Sequence, residues 1–183
     1  MPNMYLQIPY HIARQIADHA QNDYPNEVCG LLAGTESKIS SAIPINNIAD
    51  TPQNHYQLDP SEQITALKRI DADNLQWQGI YHSHPKSHPI PSPTDITDSN
   101  DSSLIHIIVS LKDSQPKLKA WQILETSVIP IELIFDTQSP SNDAHEPLSN
   151  HQKTAIILTS IICVILMLVI SFTLLPAAPE ITS

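Results

Sequence analysis

The chain has 183 residues and a formal net charge of −10, from nine Lys plus Arg against nineteen Asp plus Glu. That length suits one domain of ordinary size with an appendage, and 41% hydrophobic residues exclude wholesale disorder. The acidic balance argues against nucleic-acid binding, because phosphate backbones would be repelled, and two cysteines, Cys29 and Cys163, cannot build a disulfide framework.

In chain order, the first periodic segment is 10–23. Its Ile12, Ala13, Ile16, Ala17 and Ala20 form a helical stripe, and Pro25 ends it. Residues 28–33, VCGLLA, form a short continuous apolar run suited to a buried strand. Further strands are expected over 38–45 and 54–58. Asp59-Pro60-Ser61-Glu62 predicts a helix start, with Asp59 as N-cap, Pro60 at the first helical position and Glu62 completing a capping box. Ile64, Leu67 and Ile70 supply that helix with an apolar face. Strands follow over 76–82 and 104–111, and a final pair over 117–125 and 128–136 is read as a hairpin. Helices and strands interleave while some strands are consecutive, so the fold class is α/β with a mixed sheet covered by helices.

The last fifth of the chain changes character. Residues 137–153 are polar, with Pro140 and Pro147, and are read as a tether. Residues 154–175 run for 22 positions without a charge, Gly or Pro. As a helix they would be about 33 Å long, which matches a bilayer core of about 30 Å. The expected organisation is therefore a domain over 1–136, a tether, one transmembrane helix and a short tail over 176–183. Lys153 just before the apolar run points to a single-pass membrane protein whose domain faces the cytoplasm.

The chemistry concentrates in His82 to Asp95, HSHPKSHPIPSPTD. His82 and His84 are two apart, so at the end of an extended strand both imidazoles project to one side and converge on one metal. Zinc takes N, S or O ligands in a tetrahedron and keeps one position for water in a catalytic site. Asp95, eleven residues after His84, is the natural third ligand, and Pro85, Pro89, Pro91 and Pro93 restrict the loop between them. Ser92-Pro93-Thr94-Asp95 also reads as a helix capping box. An activated water needs a base, and Glu27, just before the VCGLLA strand, is the best placed acidic residue outside the loop. On its own pattern it reads more readily as a solvated residue before a strand. His88 is read as solvent-facing or substrate-contacting, and Cys29 as a small buried side chain.

Glu27, then His82-Ser83-His84, seven residues, Ser92, two residues and Asp95 make a pattern that resembles the JAMM, or MPN-plus, zinc metalloproteases. The stretch from Tyr24 to Gly34 and Gly79-Ile80-Tyr81 also resemble the family, and together they hold all three glycines of the chain. The resemblance covers roughly residues 4–135. It implies one Zn2+ held by His82, His84 and Asp95, with Glu27 as general base and Ser92 as donor to the oxyanion. It also implies a three-layer α-β-α domain similar to that of cytidine deaminases. The compact spacing between Glu27 and His82 is similar to the branch that acts on ubiquitin-like and sulfur-carrier β-grasp proteins. The implied activity is hydrolysis of an amide or isopeptide bond at the C-terminus of such a protein. The alternatives are deconjugation of protein modifiers and a non-catalytic scaffold of the same fold. A nucleobase deaminase is disfavoured, because neither His-x-Glu nor Pro-Cys-x-x-Cys occurs.

Overall fold

A computed structural model of the chain describes residues 5–136 and the single position Met167. The elements in order are β1 (Tyr5–Pro9), α1 (Tyr10–Asn22), β2 (Cys29–Thr35), β3 (Lys38–Ile45), α2 (Pro60–Ala72), β4 (Gln76–His84), α3 (Pro93–Asp98), β5 (Ile105–Ser110), β6 (Lys117–Ile123) and β7 (Val128–Asp136). The seven strands form one mixed sheet. β2 lies antiparallel between β3 and β4, β4 runs parallel to β5, and β5, β6 and β7 continue antiparallel. β1 runs parallel to β7 over five residue pairs and meets β3 at one position, Gln7 opposite Lys38.

Alternation along the strands divides the interior in two. On one face, Leu32 of β2, Tyr81 of β4 and Ile107 and Val109 of β5 pack with Ile12, Ala13, Ile16 and Ala20 of α1. On the other, Leu31 and Ala33 of β2 and Ile45 of β3 pack with Ala66 and Ile70 of α2. Helix, sheet and helix are thus stacked as layers, as the mixed α/β reading expects. Two glycines make the sheet possible where strands come closest. A Cβ on Gly79 would collide with the Ile105 carbonyl, and one on Gly34 with the Lys38 carbonyl.

Several expectations change. β1 was not among the predicted strands: it is five residues long and offers only Leu6 and Ile8 as a buried pair, too brief for a periodic signal. The strand expected over 54–58 is reduced to one bridge, Leu58 to Asn47. The Asn47 side chain takes over the nearby polar groups that a strand partner would have paired. Ile64 is 55% exposed rather than on the buried face of α2, because Ala66, Leu67 and Ile70 turn toward the sheet. Asp59 does cap α2, accepting from the Ser61 and Glu62 N–H groups. Glu62 does not close the predicted capping box. Its carboxylate instead accepts from the backbone and side-chain N–H groups of Asn46, at 2.8 and 2.6 Å. Among the described residues no helix is long and apolar enough to cross a membrane. The tether and the transmembrane segment expected over 137–153 and 154–175 lie outside those residues.

Candidate active site

The site forms where β2 begins and β4 ends. The two strands are antiparallel, with Cys29 opposite His82. Continuing that register past the first residue of β2 sets Val28 opposite Ser83 and Glu27 opposite His84. Two hydrogen bonds hold the extension: Ser83 N–H donates to the Val28 carbonyl and Val28 N–H donates to the Ser83 hydroxyl, both at 2.9 Å. Ser83 therefore locks the segment that carries Glu27 onto the histidine-bearing strand. Its neighbours His82 and His84 point to the opposite face, the one Glu27 shares.

Asp95 arrives from α3. Ser92 caps that helix by accepting from Asp95 N–H at 3.1 Å, and the Asp95 carboxylate accepts from Ser92 N–H at 2.7 Å. The capping box is therefore real, and it aims the same carboxylate at the histidines. Asp95 Oδ2 lies 3.4 Å from Nε2 of His82 and 3.4 Å from Nε2 of His84, and the two Nε2 atoms are 3.2 Å apart. All three side chains are buried.

The loop between His84 and Ser92 is tied down at several points. Nδ1 of His84 donates to the His88 carbonyl at 2.9 Å, the Ser110 hydroxyl donates to the Ser87 carbonyl at 2.6 Å, and the Trp121 indole donates to the Pro89 carbonyl at 2.9 Å. The bond to His88 places the His84 proton on Nδ1 in the neutral ring and leaves a lone pair on Nε2 facing the site. His88 contributes its carbonyl here, while its own exposed ring meets the Lys112 ammonium at 3.1 Å. Cys29 is buried with its thiol pushed up to about 12 by burial and by the charges of Glu27 and Glu62, so it is no nucleophile.

The electrostatics agree with a cation site. Burial alone would raise Asp95, but hydrogen bonds with His82 and His84 outweigh it and hold the carboxyl well below the usual carboxylate range. Burial drives His82 down, toward the neutral form, against the opposing pull of Asp95. Burial also opposes charging of His84, but its bonds to Asp95 and the His88 carbonyl outweigh that and shift it up. Two imidazole nitrogens and one carboxylate oxygen thus face one point, and their ligand atoms lie within 4.8 Å of one another. Ligands about 2.0–2.1 Å from a tetrahedral zinc stand about 3.3 Å apart. The 3.2 and 3.4 Å separations match that spacing, so the donor set fits a zinc ion in both chemistry and size.

Glu27 is buried beside this cluster. Its N–H donates to the Pro52 carbonyl at 2.6 Å and its carbonyl accepts from the Asn47 amide at 2.8 Å. Burial pushes its carboxyl up to about 7, with His84 opposing and Asp95 adding to the rise. The reading of Glu27 as a solvated residue is thereby corrected. Ser83 stood in the sequence motif without a role, and two further contributors carried no sequence signal: Asn47 and Tyr56, whose ring stacks on His82 with centroids 4.4 Å apart. They act through pairing and packing, which spacing does not reveal.

Comparison with known proteins agrees with this arrangement. The family model for prokaryotic homologues of the JAB domain matches residues 9–124. A desampylase from Pyrococcus furiosus is 34% identical over 124 residues, covering 68% of this chain and 85% of that protein. A CysO-cysteine peptidase from Mycobacterium tuberculosis is 32% identical over 127 residues, covering 67% of this chain and 86% of that protein. A solved protein from Desulfitobacterium hafniense superposes with a TM-score of 0.69 at 30% identity, covering 75% of this chain and 97% of that one.

Proposed function

The chain belongs to the family of prokaryotic homologues of the JAB domain, and on that premise we propose that it is a zinc-dependent peptidase acting at the C-terminus of a ubiquitin-like or sulfur-carrier β-grasp protein. It is a hydrolase, in keeping with the peptidase and desampylase to which it is similar. The observation that carries the reading is the convergence of His82, His84 and Asp95 on one point with the buried Glu27 beside them.

His82 and His84 through Nε2 and Asp95 through Oδ2 would hold the zinc. When bound, zinc supplies Lewis acidity that polarises a carbonyl oxygen and makes water nucleophilic near neutral pH. The Glu27 carboxylate takes a proton from the attacking water and returns it to the leaving amine. Its burial suits both steps: a carboxyl raised to about 7 accepts a proton more readily than an ordinary one and releases it at neutral pH. The Ser92 oxygen already accepts from Asp95 N–H, so its own hydrogen is left to donate to the oxyanion that develops on the substrate carbonyl.

Release of an amino acid from a sulfur carrier and deconjugation of a modifier from a lysine break the same kind of bond. The first is the leading reading, and a narrow Gly-Gly-like tail would suit either. The test incubates the zinc-loaded full chain with β-grasp proteins bearing a C-terminal amino acid or a lysine-linked adduct and follows intact mass. The expected result is loss of one adduct, abolished by a chelator. Glu27→Gln should keep its zinc and lose turnover by about 10²–10⁴-fold. A zinc-loaded chain that cleaves none of these adducts would favour the non-catalytic scaffold.

A further inference from the structure

The two histidines of the site are held in different ways. His84 has the hydrogen bond that metal-binding histidines ordinarily make through their second nitrogen, from Nδ1 to the His88 carbonyl. His82 does not: its buried Nδ1 has no hydrogen-bond partner among the described residues. Tyr56 covers this ring instead. The two rings are nearly parallel, 21° apart, with centroids at 4.4 Å, and His82 is fully buried. Tyr56 is held in turn by Asn47, which donates to the His55 carbonyl at 3.0 Å and accepts from Gln57 N–H at 2.9 Å, bracketing Tyr56 on both sides. The same Asn47 amide also donates to the Glu27 carbonyl. One side chain thus ties the Tyr56 loop to the segment that carries the base.

We propose that Tyr56 is a positioning residue for His82, its stacked ring holding the imidazole in the orientation that a second hydrogen bond fixes for His84. The inference rests on the reading of His82, His84 and Asp95 as a zinc site. Without the ring, His82 would keep only its Nε2 contacts with Asp95 and His84, and no bond at Nδ1 would resist a tilt of the imidazole about its side-chain torsions. Zinc binding would then have to order the ring as well as occupy it. Stacking requires the aromatic ring and not the hydroxyl, so phenylalanine should substitute and an aliphatic side chain should not.

The test measures zinc affinity of the full chain by competition with a chromophoric chelator, alongside melting of the metal-free forms. Tyr56→Leu is expected to bind zinc about tenfold more weakly, while Tyr56→Phe stays within about twofold of the parent. Weakening in both variants, or in neither, overturns the proposal and leaves the zinc site standing. A parent chain that binds no stoichiometric zinc overturns the site reading itself. If metal-free Tyr56→Leu does not fold, the parent chain and Tyr56→Phe carry the test by proton NMR. Upfield ring-current shifts of the His82 ring protons in both support stacking, and unshifted protons overturn it.

Discussion

Glu27 shows how burial suits a common side chain to the role of base proposed for it. Its carboxyl has an ordinary value of 4.5 and is raised to about 7, chiefly because the charged form loses water. A base acts in its charged form, so activity falls as pH drops through its titration. A divalent cation beside Glu27 favours the carboxylate and pulls the midpoint back down. The acid limb of kcat/KM for the zinc-loaded chain should therefore lie between pH 4.5 and about 7, rising with pH. Steady-state rates from pH 4 to 9 would locate the limb. Its persistence in the residual activity of Glu27→Gln would assign it to another group.

At the scale of the element, α3 is six residues long and would be marginal alone. It forms because Pro93 stands at its first turn and because Ser92 and Asp95 satisfy each other's backbone N–H groups. The same bonds deliver Asp95 to the histidines, so one short capping box serves both folding and chemistry. Ser92→Ala should cost about 1 kcal/mol of stability through the lost cap. It should also lower kcat by about 10²–10³-fold through the lost oxyanion donor. Denaturant titration and steady-state kinetics on the same variant separate the two. A stability loss with unchanged kcat would reduce Ser92 to a cap.

At the scale of the whole molecule, the proposed ligand atoms come from two separate elements, β4 and α3, and the proposed base from the segment before β2. A cation at their meeting point binds the folded chain and has no such site in the unfolded one. Zinc at about 100 times its Kd should stabilise the fold by about 2.7 kcal/mol. Calorimetry should show this as a rise of several degrees in Tm, reversed by a chelator. The rise should shrink as pH falls through the titration of His84, which lies above its ordinary 6.5, because ligands must be deprotonated to bind metal. A Tm indifferent to excess zinc would rule out the site.

The sequence by itself determined the parts whose information is local. His82 and His84 declare themselves by a spacing of two on a strand, Asp95 by its offset and Asp59 by its place before Pro60. The stripe of α1 declares itself by period, and both ends of β3 and β7 emerge as expected. Only the tertiary structure decided what depends on which strand lies beside which. It put Glu27 opposite His84 through a pairing between positions 55 residues apart at Val28 and Ser83. It turned Glu62 away from its capping box toward Asn46, and it set Tyr56 on His82. The physical reason is that periodicity and capping act over a few residues. Register, burial and ring stacking are properties of partners that the chain brings together only when it folds.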